Sequence, residues 1–272
     1  YTLKNDPLLN PSAQSREHNV SMGQGCGTGV RADLSDGRSL SGGAGFLLDS
    51  SGDDVYEAQV FCQGTGFLEG VGILVDGDGA DSYSGIWYAQ ASAAHRAAGV
   101  LLDKGEGDDS FTAEEYTSIA AGHDFSIAFL QNEAGNDSYT VGNLGIGGGN
   151  DNGTAIFIDE SGDDSYTITS KEGYGVGAAK ISHWGTSREA SLGLGLFLDL
   201  GGDDKYNLRR DPPKQNAITH WPKRYPELGL KAEIGVAMDT EEEDSPFQTG
   251  PRTEPDDYDE KMLKRTREER RA

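Results

Sequence analysis

The sequence predicts an all-β fold, a right-handed parallel β-solenoid (β-helix) of about 27 residues per rung. Three observations carry that prediction. One phrase occurs six times: an apolar run into Asp, a short Gly turn, an Asp pair or its stand-in, and an aromatic. It reads FLLDSSGDDVY from Phe46, ILVDGDGADSY from Ile73, VLLDKGEGDDSF from Val100, FLQNEAGNDSY from Phe129, IFIDESGDDSY from Ile156 and LFLDLGGDDKY from Leu196. The leading acid of each copy falls at Asp49, Asp76, Asp103, Asn132, Asp159 and Asp199, in steps of 27, 27, 29, 27 and 40 residues. A repeat of this length is one supersecondary unit, able to bury its apolar face only by stacking on its neighbours. Finally, 39 glycines against 9 prolines suit many tight turns, while short regular apolar runs exclude collagen-like or disordered character.

Residues 1–44 read as an N-terminal cap and first partial rung. Within them Gln24-Gly25-Cys26-Gly27-Thr28-Gly29 matches Gln63-Gly64-Thr65-Gly66, and Tyr174-Gly175-Val176-Gly177 is a looser relative. The next leading Asp follows after 25 residues from Gln24, 13 from Gln63 and 25 from Tyr174. Two 12-residue insertions are therefore expected at one point of the coil, around Val30 to Gly42 and Ala178 to Ser191. Solenoids place variable and binding segments on such a side.

Residues 45–208 hold the six repeats. Each should have a first strand on the apolar run, such as Gly45 to Leu48, and a second after the Asp pair, such as Ser82 to Tyr88, joined by the Gly-Asp turn. Residues 209–247 read as an irregular segment with a degraded seventh copy, GVAMDTEEEDSPF from Gly235, led by Asp239. Residues 248–272 form a charged tail, in which Asp257 to Arg271 reads as a short helix with no apolar face. It is acidic first and basic last, as the helix dipole favours. Its Lys264, Arg265, Arg267, Arg270 and Arg271 suit docking on the acidic body of a neighbouring subunit or other protein partner.

Strand periodicity assigns faces. Tyr56, Tyr83, Phe111, Tyr139, Tyr166 and Tyr206 each lie two residues after an Asp, so Asp and aromatic share one face and the residue between them points away. The aromatics are expected to form a packed ladder. The first strands are apolar at neighbouring positions, as in Phe46-Leu47-Leu48, and so should be covered on both faces. The insertions, the C-terminal segment or another subunit would supply the outer cover.

The chemistry lies in the turns. Stacked rungs place equivalent residues about 4.8 Å apart, which builds three acidic columns. The first is Asp49, Asp76, Asp103, Asn132, Asp159, Asp199; the second Asp53, Asp108, Asn136, Asp163, Asp203, with Ala80 as a gap; the third Asp54, Asp81, Asp109, Asp137, Asp164, Asp204. Two unit charges at that spacing repel by about 3.5 kcal/mol at an effective dielectric of 20. A hard divalent cation relieves this, and calcium, with 6 to 8 oxygen ligands and loose geometry, suits irregular turns better than magnesium does. Asp78 joins the candidate ligands from the second turn. A single GDD would be an ordinary turn, since Asp bonds its own backbone and Gly supplies positive φ; it is the stack that requires neutralisation.

Gly77-Asp78-Gly79-Ala80-Asp81-Ser82-Tyr83-Ser84 resembles the RTX (haemolysin-type) calcium-binding nonapeptide, G-G-x-G-x-D-x-U-x in a parallel β-roll. The matching glycine and aspartate recur as Gly52 and Asp54, Gly107 and Asp109, Gly135 and Asp137, Gly162 and Asp164, and Gly202 and Asp204. Here one nonapeptide occurs per rung, and an Asp or Asn stands where the family has its first Gly. The resemblance covers some 60 residues and implies calcium held between successive turns by these Asp side chains and nearby carbonyls.

Other chemistry is sparse. His95 and His123 are candidates for catalysis, with His123-Asp124 as a base and its orienting acid. Their spacing from the leading acid differs by one residue, so a regular strand would turn them to opposite faces. His183 with Trp184, and His220 with Trp221, could line a glycan- or partner-binding surface. No Ser nucleophile elbow, phosphate loop or zinc spacing occurs. Cys26 and Cys62, on adjacent rungs, suit either one disulfide or two free thiols. No apolar stretch approaches the roughly 18 residues of a membrane span, and a net charge of −23 disfavours nucleic acid and anionic membrane while attracting cations and basic proteins. The start at Tyr1 without Met suits a processed or trimmed polypeptide.

The expected function is a non-enzymatic calcium-binding module, structural and binding in role, secreted, on the cell surface or periplasmic, self-associating or serving as a subunit of a larger assembly. The alternative is a β-helix carbohydrate-active enzyme, a polysaccharide lyase or glycoside hydrolase, with its cleft between the insertions. Convergent His or carboxylate groups outside the Gly-Asp turns, absent from other rungs, would mark that enzyme.

Overall fold

The computed structural model describes residues 1–6, 12, 15, 17–29, 42–170, 176–180, 192–208 and 232–240. Among them every strand pairing is parallel and there is no helix. The chain coils through three sheets. The first stacks seven strands in the order Ala44–Leu48, Val71–Val75, Ala98–Asp103, Ile127–Asn132, Thr154–Asp159, Leu192–Asp199 and Ala232–Asp239. The second stacks Val55–Glu57, Ser82–Gly85, Ser110–Ser118, Ser138–Gly145, Ser165–Ile168 and Lys205–Asn207. The third stacks the short strands Gly27–Thr28, Gly66–Phe67, Ala93–Ala94, Ala121–His123, Gly148–Asn150 and Ala179–Lys180. A two-stranded sheet, Val20–Gly23 on Val60–Cys62, flanks the N-terminal rungs. The β-solenoid expected from the repeat is therefore present.

Register follows the repeat. Asp103, Asn132, Asp159, Asp199 and Asp239 are successive partners, and Ala232–Asp239 pairs residue for residue with the preceding copy, so the degraded seventh phrase still forms a strand. The long step of 29 residues has two sources. The turn from Asp103 to Asp108 is one residue longer than that from Asp49 to Asp53, and the second-sheet strand bulges, Ala113 and Tyr116 facing Val141 and Asn143. Pairing also measures the insertions. Gly66 and Val71 are 5 residues apart, their counterparts Gly27 and Ala44 are 17 apart, and Ala179 and Leu194 are 15 apart. The expected equal insertions thus become 12 and 10 residues, because Val176-Gly177, and not Tyr174-Gly175, is the counterpart of Gln24-Gly25. Residues 30–41 and 181–191, the bulk of both insertions, lie outside the described residues, as do most of 209–247 and the tail.

Alternation builds the interior. Leu74, Leu101, Leu130, Phe157 and Phe197 point inward from the first sheet, fully buried. From the second sheet the aromatics meet them as a stacked column, with ring centroids 4.8 Å apart for Tyr56 and Tyr83, 4.5 Å for Tyr83 and Phe111, and 4.9 Å for Phe111 and Tyr139. Each such residue contributes about 1.5–3 kcal/mol on burial. Tyr1 joins the column, stacking on Tyr56 at 5.1 Å. The outward positions of the first sheet are also apolar, and Phe46, Leu48 and Ile127 stay 63%, 72% and 56% exposed among the described residues.

Three corners close each rung. The first is the Gly-Asp turn. The other two are pairs of left-handed residues, such as Gln63-Gly64, Gln90-Ala91 and Ile119-Ala120 leading into the third sheet and Leu68-Glu69, His95-Arg96 and Asp124-Phe125 leaving it. Side chains there cost energy that the stacked backbone bonds on either side offset.

Candidate metal centre

The first corner separates the three acidic columns by face. Adjacent residues of an extended chain point opposite ways, so the second column, Asp53, Asp108, Asn136, Asp163 and Asp203, faces solvent. These side chains cap the next rung: Asp53 Oδ1 accepts the Ala80 N–H at 3.1 Å, Asp108 Oδ1 that of Asn136 at 2.8 Å, and Asp163 Oδ1 that of Asp203 at 2.9 Å. Their charges are screened by water.

The first and third columns turn inward and meet. Asp76, Asp103, Asn132, Asp159 and Asp199 are fully buried, as are Asp81, Asp109, Asp137 and Asp164 to within 2%. In the third column each carboxylate reaches back one rung. Asp81 Oδ1 accepts the Asp54 N–H at 2.7 Å, Asp109 Oδ1 that of Asp81 at 2.7 Å, Asp137 Oδ1 that of Asp109 at 2.6 Å, Asp164 Oδ1 that of Asp137 at 2.7 Å and Asp204 Oδ1 that of Asp164 at 2.8 Å. The second oxygen of each is left facing the first column.

The first column is held by tyrosine. The hydroxyl of each aromatic donates to the leading Asp of the following rung: Tyr1 to Asp49 at 2.5 Å, Tyr56 to Asp76, Tyr83 to Asp103 at 2.7 Å, Tyr139 to Asp159 at 2.6 Å, Tyr166 to Asp199 at 2.8 Å and Tyr206 to Asp239 at 2.9 Å. Phe111 has no hydroxyl, and the residue that it would face is Asn132. There the side-chain amide turns to the carboxylates instead, with Nδ2 at 2.7 Å from Asp137 Oδ2, 3.4 Å from Asp109 Oδ2 and 2.9 Å from the Tyr139 hydroxyl.

Crowding of carboxylates in a buried seam disfavours their charge. Burial first, then the neighbouring acids, pushes Asp81 up to about 7 and Asp109 to about 8, and burial and Asp109 push Asp137 to about 8. Asp103, Asp159 and Asp199 are raised mainly by burial. The tyrosines are raised too, by burial and by these acids, which keeps them proton donors. Asp49 goes the other way, lowered by its bonds from Tyr1 and the Ser51 and Ser50 amides at the open end of the stack.

Four triads result, each offering three carboxylate oxygens within 4.8 Å of one another: Asp54, Asp76, Asp81; Asp81, Asp103, Asp109; Asp137, Asp159, Asp164; and Asp164, Asp199, Asp204. That span is the width of a calcium coordination sphere, about twice a Ca–O bond of 2.3–2.6 Å. In the first two triads the buried Asp81 Oδ2 has no hydrogen-bond partner, and in the third the same is true of Asp159 Oδ1. An unpartnered buried carboxylate oxygen is costly and calls for a proton or a cation. The donor set, carboxylate oxygen alone, fits a hard cation. Of the expected ligands, Asp49, Asp53, Asp78, Asp108, Asn132, Asn136, Asp163 and Asp203 stand outside the four triads.

The histidine candidates come together in a different way from the one expected. His95 and Asp124 occupy corners, with φ of 62° and 56°, so strand alternation does not apply to them. Asp124 Oδ2 lies 2.7 Å from His95 Nδ1, whereas His123 Nδ1 lies 2.6 Å from Asn150 Oδ1, with the two imidazole centroids 5.8 Å apart. Burial lowers the His123 pKa. The expected His123-Asp124 partnership is thus replaced by His95 with Asp124. His183, Trp184, His220 and Trp221 lie outside the described residues. Cys26 and Cys62 are free thiols, which settles that alternative.

Sequence reasoning missed the tyrosine hydroxyls, having read the aromatic column as packing alone. The signal was present: of the six repeats, the one with Phe in place of Tyr precedes the one with Asn in place of the leading Asp. Fold and site together define a parallel β-solenoid with a buried carboxylate and tyrosine seam along one corner. Compared with family models, curated proteins and solved structures, the chain has no match.

Proposed function

We propose that the chain is a non-enzymatic calcium-binding β-solenoid, a structural and binding module for a secreted, cell-surface or periplasmic setting. The observation that carries this reading is Asp81, a member of two triads at once, whose buried Oδ2 has no hydrogen-bond partner. Proton sharing can quiet one carboxylate of a triad, yet the two left ionised at this separation still repel by about 3.5 kcal/mol. A divalent ion removes that repulsion along the whole seam. The resemblance to the RTX nonapeptide supports calcium, since its aspartates Asp54, Asp81, Asp109, Asp137, Asp164 and Asp204 are the third column, members of every triad. Magnesium, which demands near-octahedral geometry at 2.0–2.1 Å and keeps its waters, suits a dry seam less well.

The exposed apolar residues Phe46, Leu48 and Ile127 on the outer face of the first sheet support self-association or a protein partner. Sedimentation of an Ile127→Lys variant tests this: the wild type should self-associate more strongly, and equal behaviour removes the support.

Elemental analysis of dialysed protein tests the calcium reading. Several calcium ions per chain are expected, with a melting temperature that falls on chelation; calcium at 100 times its Kd adds about 2.7 kcal/mol per site. A metal-free protein whose melt ignores added calcium sinks the reading.

A further inference from the structure

The seam offers five equivalent positions between rungs, and four of them are all-carboxylate triads. The fifth, between Asp109 and Asp137, contains Asn132, whose Nδ2 lies 2.7 Å from Asp137 Oδ2 and 3.4 Å from Asp109 Oδ2. An amide N–H pair, the positive end of a dipole, thus stands between the two third-column acids where the other rungs present only oxygens. We propose, resting on the calcium reading, that the seam is two separate two-ion sites and that Asn132 is the built-in plug between them.

Ligand sharing follows from the triads. Asp81 belongs to both triads of the N-terminal pair and Asp164 to both triads of the C-terminal pair, while Asp109 and Asp137 each belong to one and end against the plug. The N-terminal pair therefore has Asp54, Asp76, Asp81, Asp103 and Asp109, and the C-terminal pair Asp137, Asp159, Asp164, Asp199 and Asp204. Five carboxylates with two divalent ions keep one negative charge, whereas a single ion would leave three, so charge balance favours filling both positions of a pair. Both halves also carry a buried oxygen without a partner, Asp81 Oδ2 in one and Asp159 Oδ1 in the other. As carboxylate oxygens they distinguish the pairs from the plugged position, where the facing carboxylate oxygens Asp109 Oδ2 and Asp137 Oδ2 both accept from Asn132 and the one orphaned oxygen is the neutral amide's own Oδ1. Stacked ions in one pair would sit about one rung spacing, ~4.8 Å, apart and be bridged by the shared carboxylate.

The rung before the plug also lacks the tyrosine hydroxyl that would reach position 132, because Phe111 stands there. An acid at position 132 would have no hydroxyl donor for its charge, whereas the amide, though its Oδ1 is buried without a partner, carries no charge to neutralise. Phe111 and Asn132 are thus two halves of one arrangement that closes the middle position.

The test is the calcium stoichiometry of the full chain, by calorimetric titration and by elemental analysis after gel filtration. Four ions are expected for the wild type, and five for the Phe111→Tyr, Asn132→Asp double variant, which rebuilds the pattern of the other rungs. Asp81→Asn should lose both ions of its own pair, giving two, and leave the affinity of the remaining two unchanged. Five ions in the wild type, four in a double variant with an unchanged circular dichroism spectrum, or three in Asp81→Asn overturn the plug while leaving the calcium reading intact. Zero in the wild type overturns both. Should the double variant fail to fold, Asp81→Asn and its counterpart Asp164→Asn decide alone, because independent pairs predict two ions in each.

Discussion

The Tyr139 hydroxyl donates to the fully buried carboxylate of Asp159 at 2.6 Å, reaching from one rung of the solenoid to the next. The same bond recurs along the stack, so the aromatic column is at once a packed core and a row of donors to the acids beside it. A hydroxyl of this kind is held in place by ring stacking above and below, which removes most of the entropy cost of aiming it.

Tyr139→Phe should therefore destabilise the calcium-loaded protein, in which Asp159 is ionised, by about 1.5–3 kcal/mol, the usual worth of a buried hydrogen bond to a charged group. Asn132 Nδ2 also loses an acceptor, which pushes the value toward the upper end. Tyr1→Phe removes the equivalent bond to Asp49 at the exposed end and should cost less than about 1 kcal/mol. Melting temperatures of the two variants check this, and equal losses would deny the buried seam its special role.

Much of this could be read from the residues. The period, the register of the leading acids and the inward face of Asp54 and Tyr56 all follow from alternation, and the outer apolar face was visible in Phe46-Leu47-Leu48. The bends at Gln90-Ala91, Ile119-Ala120 and His95-Arg96 were not, because left-handed backbone is adopted there by residues with no preference for it, under constraint from the rungs on either side. The opposite outcomes for Asp53 and Asp54 were half visible. Periodicity separates their faces, but only the structure shows that one faces water, capping Ala80, while the other enters the seam.

Phe111→Tyr should stabilise the protein by about 0.5–1.5 kcal/mol. In register its new hydroxyl falls beside Asn132, whose Oδ1 is buried with no partner. The neighbouring rings at Tyr83 and Tyr139 already stack on Phe111 at 4.5 and 4.9 Å, so the ring itself need not move. Chemical or thermal unfolding measures the gain, and a loss of stability would mean that the seam has no room for the oxygen.

Gly52 and Gly79 are equivalent turn residues with φ of 131° and 148°, a region that L side chains rarely adopt. They differ in what lies beneath. A Cβ on Gly79 would collide with the Gly52 carbonyl, whereas one on Gly52 would meet only Asp54 Oδ2 at 3.6 Å. Gly52→Ala should cost about 1–3 kcal/mol from backbone strain, and Gly79→Ala clearly more, since the rungs must part. Parallel melts of the two variants test this, and a Gly79→Ala as mild as Gly52→Ala would show that the rungs are loosely stacked.

The pH dependence of the metal-stripped protein follows from the same seam. Asp81, at about 7, and Asp109 and Asp137, at about 8, sit well above the unfolded value near 3.9. Between those limits the folded state binds more protons than the unfolded chain, so stability falls as pH rises. Their contribution is full below about pH 4 and is lost as pH climbs through 7 to 8. Asp49 and Asp108, both lowered, act in the opposite sense, but they lie in solvent where screening weakens them. The melting temperature of stripped protein should therefore decline from pH 5 to pH 8. Saturating calcium should reverse that trend, because the ions bind the deprotonated carboxylates and their affinity rises over the same interval. Melts at pH 5, 6, 7 and 8 with and without calcium give both slopes. A stripped protein that gains stability toward pH 8 would show that the buried acids are charged and content without either proton or metal, which would contradict the crowding on which the metal reading rests.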